Sequence, residues 1–213
     1  MDKKLTAILI KSIDVRDSDK SIRIFSAEEG CVTAVMRGVR KPTAKMKFAA
    51  QPFALCIYEV SEKNGKNIIT GATQIEDLYA LCLDPEKYAA ACVLLDVTNN
   101  ANLSIDSAKL FIILLKALKA LLYSKTVSML VVTKFIQKVL TMSGFIKIPT
   151  RVDSDLDTPS KVLGFIAYKT LDELSSIMID SSLIKRAMRS VVTEFCREYE
   201  TELTSYEVYQ KLM

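Results

Sequence analysis

Five cations crowd into eleven residues of this 213-residue chain: Arg37, Arg40, Lys41, Lys45 and Lys47. They lie in a 29-residue window, from Gly30 to Tyr58, that contains no aspartate or glutamate. Cations at that density, with no carboxylates between them, make a surface of one sign. Such a surface neutralises phosphates and releases the counterions condensed on a nucleic-acid backbone. Phe48, Phe53 and Tyr58 share the window and could stack on bases. The strand that carries Phe53 and Tyr58 is apolar on both faces, however, so a core role is expected for them.

Other chemistries find little to use. The chain has no histidine, which removes His-based acid/base catalysis, Ser-His and Cys-His nucleophiles and His-ligated zinc. The five cysteines, Cys31, Cys56, Cys82, Cys92 and Cys196, never approach the CxxC spacing of a zinc site and form a poor disulfide framework. The six glycines match neither GxGxxG nor the GxxxxGK[ST] phosphate loop. Asp153, Asp155 and Asp157 imitate the start of a calcium loop, but Thr158 stands where the turn glycine belongs and Gly164 where the bidentate glutamate belongs. The expectation is a protein that is not an enzyme and holds no metal or cofactor.

A second cationic group, Lys185, Arg186 and Arg189, falls in the first turns of a predicted helix whose far end carries Glu194, Glu198, Glu200 and Glu202. Both placements oppose the helix dipole, so an anionic neighbour or an anionic partner is expected there.

The elements that must position these residues fall into two halves. Residues 4–76 read as five short strands, near 5–13, 21–27, 31–37, 52–61 and 67–75, separated by Asp-Ser-Asp, Glu-Glu-Gly and Asn64-Gly65 turn signals. The long connection 38–51 carries the basic cluster. Five strands in so few residues suggest an OB barrel.

After Leu78 the period becomes helical, with predicted helices near 84–100, 104–123, 126–143, 170–179, 182–204 and 205–212. The stretch 105–122, apolar nearly all round, is expected at the centre of a bundle. Residues 144–160 read as a loop and 161–168 as one strand. The fold class is therefore α+β: an N-terminal five-stranded OB-fold barrel, residues 1–78, followed by an all-helical C-terminal domain, residues 79–213. The basic excess lies in the first 50 residues, which carry 11 Lys/Arg against 6 Asp/Glu, net +5, and leave the rest at net −1. The longest uncharged run, residues 48–58, is too short to span a membrane. No signal peptide is read, and the cytoplasm is the expected compartment.

The stretch FSAEEGCVTAVMRGVRKPTAKMKFAAQPF, residues 25–53, with its Gly30 turn, its Gly38-x-Arg40-Lys41-Pro42 loop and its Gln51-Pro52-Phe53 segment, resembles the bacterial recombination mediator family RecO. The resemblance continues through EKYAAACVLLDVTNN, MSGFIKIP at 142–149 and the C-terminal SYEVYQKLM. It implies binding of single- and double-stranded DNA, strand annealing without ATP, and help in loading RecA onto DNA covered by single-stranded-DNA-binding protein. Its implied partners are RecR, the acidic C-terminal tail of that single-stranded-DNA-binding protein, and the RecA filament indirectly. Arg37, Arg40, Lys41, Lys45 and Lys47 match the family's basic-loop positions and would contact DNA. Lys185, Arg186 and Arg189 are the expected cations for the acidic tail. One departure stands out: many relatives carry a four-cysteine zinc module after the segment matching Gly144–Pro149, whereas residues 150–195 here contain no cysteine. The chain thus looks like a zinc-less, shortened member. A protein adaptor with incidental DNA binding is the alternative, resting on the helical half.

Overall fold

A computed structural model describes residues 2–148 and 155–213. They form two compact units, Met1–Leu83 with Asp106–Ile112, and Asp84–Ile105 with Ile113–Met213.

In the first unit β1 (Asp2–Val15), β2 (Asp19–Ser26), β3 (Gly30–Met36), β4 (Leu55–Lys63) and β5 (Lys66–Glu76) close into a barrel in the order β1-β2-β3-β5-β4. This is the OB arrangement. Closure depends on the length of β1: its first half, Asp2–Ile8, pairs with β4 and its second, Ala7–Val15, with β2, with a register shift between Leu9 and Lys11. All neighbours run antiparallel except β3 and β5, which meet through Val35 and Ile68. Period-2 alternation fills the interior, so Ile22 and Ile24 of β2 and Val32, Ala34 and Met36 of β3 are buried. Asn64 and Gly65 both take positive φ, 52° and 70°, as the tight β4–β5 hairpin demands.

The start of β4 differs from the sequence reading, at Leu55 instead of Pro52. Pro52 has no N–H to donate, Ala54 N–H closes a turn on Gln51 O at 3.2 Å, and Phe53 sits in the left-handed region at φ 60° with its ring buried.

The second unit is helical: α1 (Pro85–Ala101), most of α2 (Ser107–Tyr123), α3 (Ser128–Met142), α4 (Pro159–Tyr168), α5 (Leu171–Leu174), α6 (Ser181–Glu198) and α7 (Thr204–Gln210). Asp84 caps α1 by accepting the Glu86 and Lys87 N–H groups, with Pro85 in the first turn. Thr170 and Glu173 form the expected capping box.

Four expectations for this unit are corrected. Residues 161–168 are helix, because Thr158 accepts the Lys161 N–H and Pro159 starts the first turn; an apolar octet reads equally as strand or buried helix. α2 starts at Ser107, three residues later than expected, because Asp106 accepts the Lys109 N–H while Ser104 bonds back to Ala101 O. The helical segment expected over 170–179 shrinks to α5. The centre of the unit is α3, with eleven of fifteen residues buried and α1, α4 and α6 packed on it, whereas α2 leaves Ile112 and Tyr123 exposed.

No helix among the described residues is long and apolar enough to cross a membrane. Pro149 and Asp153, on which the loop and calcium-loop readings fall, lie outside the described residues; Asp157 pairs with Lys161 at 2.8 Å.

Candidate nucleic-acid interface

The basic connection between β3 and β4 is fastened to the barrel at several points. Gly38, at φ 64°, donates its N–H to Asp19 Oδ1 at 2.8 Å, and Arg40 donates its N–H to Ser18 O at 2.9 Å. Further on, a 3-10 turn, Lys47–Ala50, is held by Tyr58, whose hydroxyl donates to Ala49 O at 2.8 Å in the barrel interior. Burial pushes the Tyr58 phenol well above its ordinary value and its neighbour Cys56 up to about 11. Both therefore stay protonated, and Tyr58 remains a donor, across the physiological range. Met46 and Phe48 pack partly against the barrel core. The loop is long, yet its path is set by the molecule that carries it.

The side chains of Arg37, Arg40, Lys41, Lys45 and Lys47 are all exposed. Their roles divide. Arg40 Nε meets Asp14 Oδ2 at 3.2 Å, and its Nη1 donates to Arg16 O and Asp17 O, so it stitches the loop to the β1–β2 turn. Lys47 Nζ donates to Pro42 O at 2.9 Å. The side chains of Arg37, Lys41 and Lys45 have no hydrogen-bond or ion-pair partner among the described residues. Unpaired cations on a fixed path suit phosphates, since little ordering entropy remains to be lost on binding.

Sequence reasoning missed what lies beside the loop. A hollow of about 430 Å³ is lined by Lys20, Arg40, Lys47, Val39, Ala50, Gln51, Pro52 and Tyr79. Lys20 shares the Asp14 carboxylate with Arg40, at 3.1 Å. Phe53 and Tyr58 are core, as expected, being 1% and 0% exposed, while Tyr79 is 43% exposed. Tyr79 is 21 residues past Tyr58, outside the acid-free window, which is why the charge pattern did not single it out.

The second unit has a basic region of a different kind. A cleft of about 860 Å³ is lined by Lys116, Lys119, Lys134, Lys138 and Lys169 around a floor that includes Ala117, Ala120, Val131, Phe135 and Leu171. Burial and the charge of Lys138 push the Lys134 ammonium below its ordinary value, and its Nζ donates to Ile166 O at 2.8 Å. The sequence signal was present as Lys116/Lys119 and Lys134/Lys138, spaced three and four apart on two apolar helices. Lys185, Arg186 and Arg189 do not line this cleft. Arg186 and Arg189 are exposed, while Lys185 is half-buried and donates to Met213 O at 3.0 Å. Asp180 caps α6 and Arg197 pairs with Glu194 and Glu198, so the unfavourable ends of that helix find intramolecular partners.

The barrel sequence has known counterparts. The family model described as "Recombination protein O N terminal" matches residues 1–77. A DNA repair protein RecO from Syntrophomonas wolfei is 42% identical over 64 residues, 30% of this chain and 26% of the relative. Another, from Acetivibrio thermocellus, is 24% identical over 220 residues, covering 99% of this chain and 85% of the relative. Residues 1–77 thus match the RecO N-terminal domain, and the likeness to a RecO protein runs at low identity over nearly the whole chain. A third RecO, from Anaeromyxobacter sp. (strain K), is 34% identical over 66 residues. The matches to the S. wolfei and Anaeromyxobacter proteins span about a quarter of those relatives' length. The RecO likeness is thus strongest in the barrel, which carries the basic loop.

Proposed function

We propose that the chain is a non-enzymatic mediator of recombinational DNA repair that binds single- and double-stranded DNA through the basic loop of its barrel. The observation that carries this reading is the set of exposed, unpaired cations, Arg37, Lys41 and Lys45, on a loop tethered to an OB barrel. Annealing without ATP follows from the same chemistry, because a surface that neutralises phosphates lowers the repulsion between two strands. Help in loading RecA, and contact with RecR, belong to the reading through the likeness to RecO. The acidic tail of the single-stranded-DNA-binding protein needs cations for its carboxylates and an apolar seat for its end. The lysine-lined cleft of the helical unit supports that contact better than Lys185, Arg186 and Arg189 do, because the cleft joins cations to an apolar floor and those three residues do not line it.

The test is fluorescence anisotropy of labelled single-stranded and duplex oligonucleotides at several salt concentrations. Replacing Arg37, Lys41 and Lys45 by Ala should weaken binding and flatten the single-strand salt slope by about 2, at roughly 0.7 per phosphate contact. Unchanged affinity and slope in the triple variant would overturn the loop as the site.

A further inference from the structure

We propose that the hollow beside the basic loop is a subsite for one unpaired nucleotide, its phosphate held by Lys20, Arg40 and Lys47 and its base stacked on Tyr79. The proposal rests on the DNA-binding reading and adds to it a contact to a base.

The cations and the ring line the same hollow. Lys20 and Arg40 share a single carboxylate, that of Asp14, and Lys47 uses only a backbone oxygen. No acidic residue lines the hollow, so its charge remains positive and suits a phosphate. Tyr79 is held by its surroundings: its N–H donates to Asp77 Oδ1 at 2.9 Å, and the flanking Leu78 and Leu81 are 1% and 0% exposed. The backbone that carries the ring is therefore held while the residue stays nearly half exposed, which lowers the entropic cost of stacking. Pro52 adds apolar surface and Gln51 an exposed amide able to meet a base edge. At about 430 Å³ the hollow falls within the range of roughly 300–1,000 Å³ typical of small-ligand sites. A base held in a duplex is already stacked and paired, so only a single strand can use the ring.

The experiment compares the unaltered protein with Tyr79→Ala and Tyr79→Phe on three labelled probes: a single strand, the same strand with abasic sites, and a duplex. Tyr79→Ala should weaken single-strand binding about tenfold, as expected for loss of one stacked base, and leave the salt slope unchanged. Tyr79→Phe should retain affinity. The abasic strand should bind the unaltered protein as weakly as the intact strand binds Tyr79→Ala, with no further loss in that variant, and the duplex should bind all three proteins alike. Equal loss on single strand and duplex, or no loss on either, overturns the subsite while leaving the loop intact. If the unaltered protein binds no probe in a salt-dependent way, the DNA-binding reading fails and the subsite falls with it.

Discussion

The loop on the barrel and the cleft among the helices are both rich in cations, but they are assembled in opposite ways. In the loop, Arg37, Lys41 and Lys45 stand on backbone that is tied down from below, with their side chains in water. In the cleft, five lysines surround aliphatic and aromatic surface, and one of them, Lys134, is desolvated enough to lower its affinity for a proton. Phosphate backbones need charge at intervals and little apolar contact. A peptide that ends in an apolar side chain needs both. The difference teaches that counting cations does not assign a ligand; what lies between them does.

The largest effect should come from cutting the anchor that holds the loop. Tyr58→Phe leaves Ala49 O buried without its donor, a loss of about 1–3 kcal/mol of stability. Chemical denaturation followed by circular dichroism should record it. DNA binding should weaken in the same variant while acidic-peptide binding stays, since the anchor serves only the loop.

Next in size is the contrast between two sets of cations in the helical unit. Charge reversal at Lys116 and Lys138 should reduce binding of a labelled acidic peptide with an apolar C-terminus about tenfold, the worth of one charge-assisted contact. The same reversal at Arg186 and Arg189 should leave peptide affinity and melting temperature nearly unchanged, because both are exposed. A loss confined to the Arg186/Arg189 variant would return the peptide site to α6.

A smaller effect concerns the segment that borders the cleft. Glu173 accepts the Thr170 N–H and the Lys169 ammonium, which together hold its carboxyl down at about 2, against 4.5 ordinarily. Because the folded value is the lower one, the stabilisation is complete above about 4.5 and is lost as the pH falls towards 2. An NMR titration of Glu173 should show that low midpoint, and Glu173→Gln should remove the acid-dependent part of α5 fraying. No effect at all is expected from a chelator. Elemental analysis should find no zinc, and the melting temperature should not move in EDTA; one zinc per chain would contradict the reading of the five cysteines.

Much of this architecture was legible in the residues. Alternation of Ile22 and Ile24, the Asn64-Gly65 hairpin, the Asp84-Pro85 start and the Thr170/Glu173 box each specify their local structure through side-chain chemistry that acts within a few positions. What was not legible depends on packing. The octet from Lys161 to Tyr168 has no period that separates strand from helix, and the Thr158-Pro159 start signal had to decide it. Lys116 and Lys119 lie on one apolar helix and Lys134 and Lys138 on another, and only the fold brings both pairs to one cleft. Tyr79 follows the last strand without a pattern around it; only the closed barrel places it beside Lys20 and Lys47. Of the two compensations expected for Lys185, an anionic neighbour or an anionic partner, the fold offers an intramolecular contact of another kind, to the backbone oxygen of Met213, 28 residues on and beyond any local pattern.

The most direct test of the account is a crossed one. The loop variant, with Arg37, Lys41 and Lys45 replaced by Ala, and the cleft variant, with Lys116 and Lys138 replaced by Ala, are each titrated with a labelled single-stranded oligonucleotide and with the acidic peptide at fixed salt. The account predicts that the loop variant loses the oligonucleotide and keeps the peptide, and that the cleft variant does the reverse. Equal losses of both ligands in both variants, or full oligonucleotide affinity in the loop variant, would contradict it.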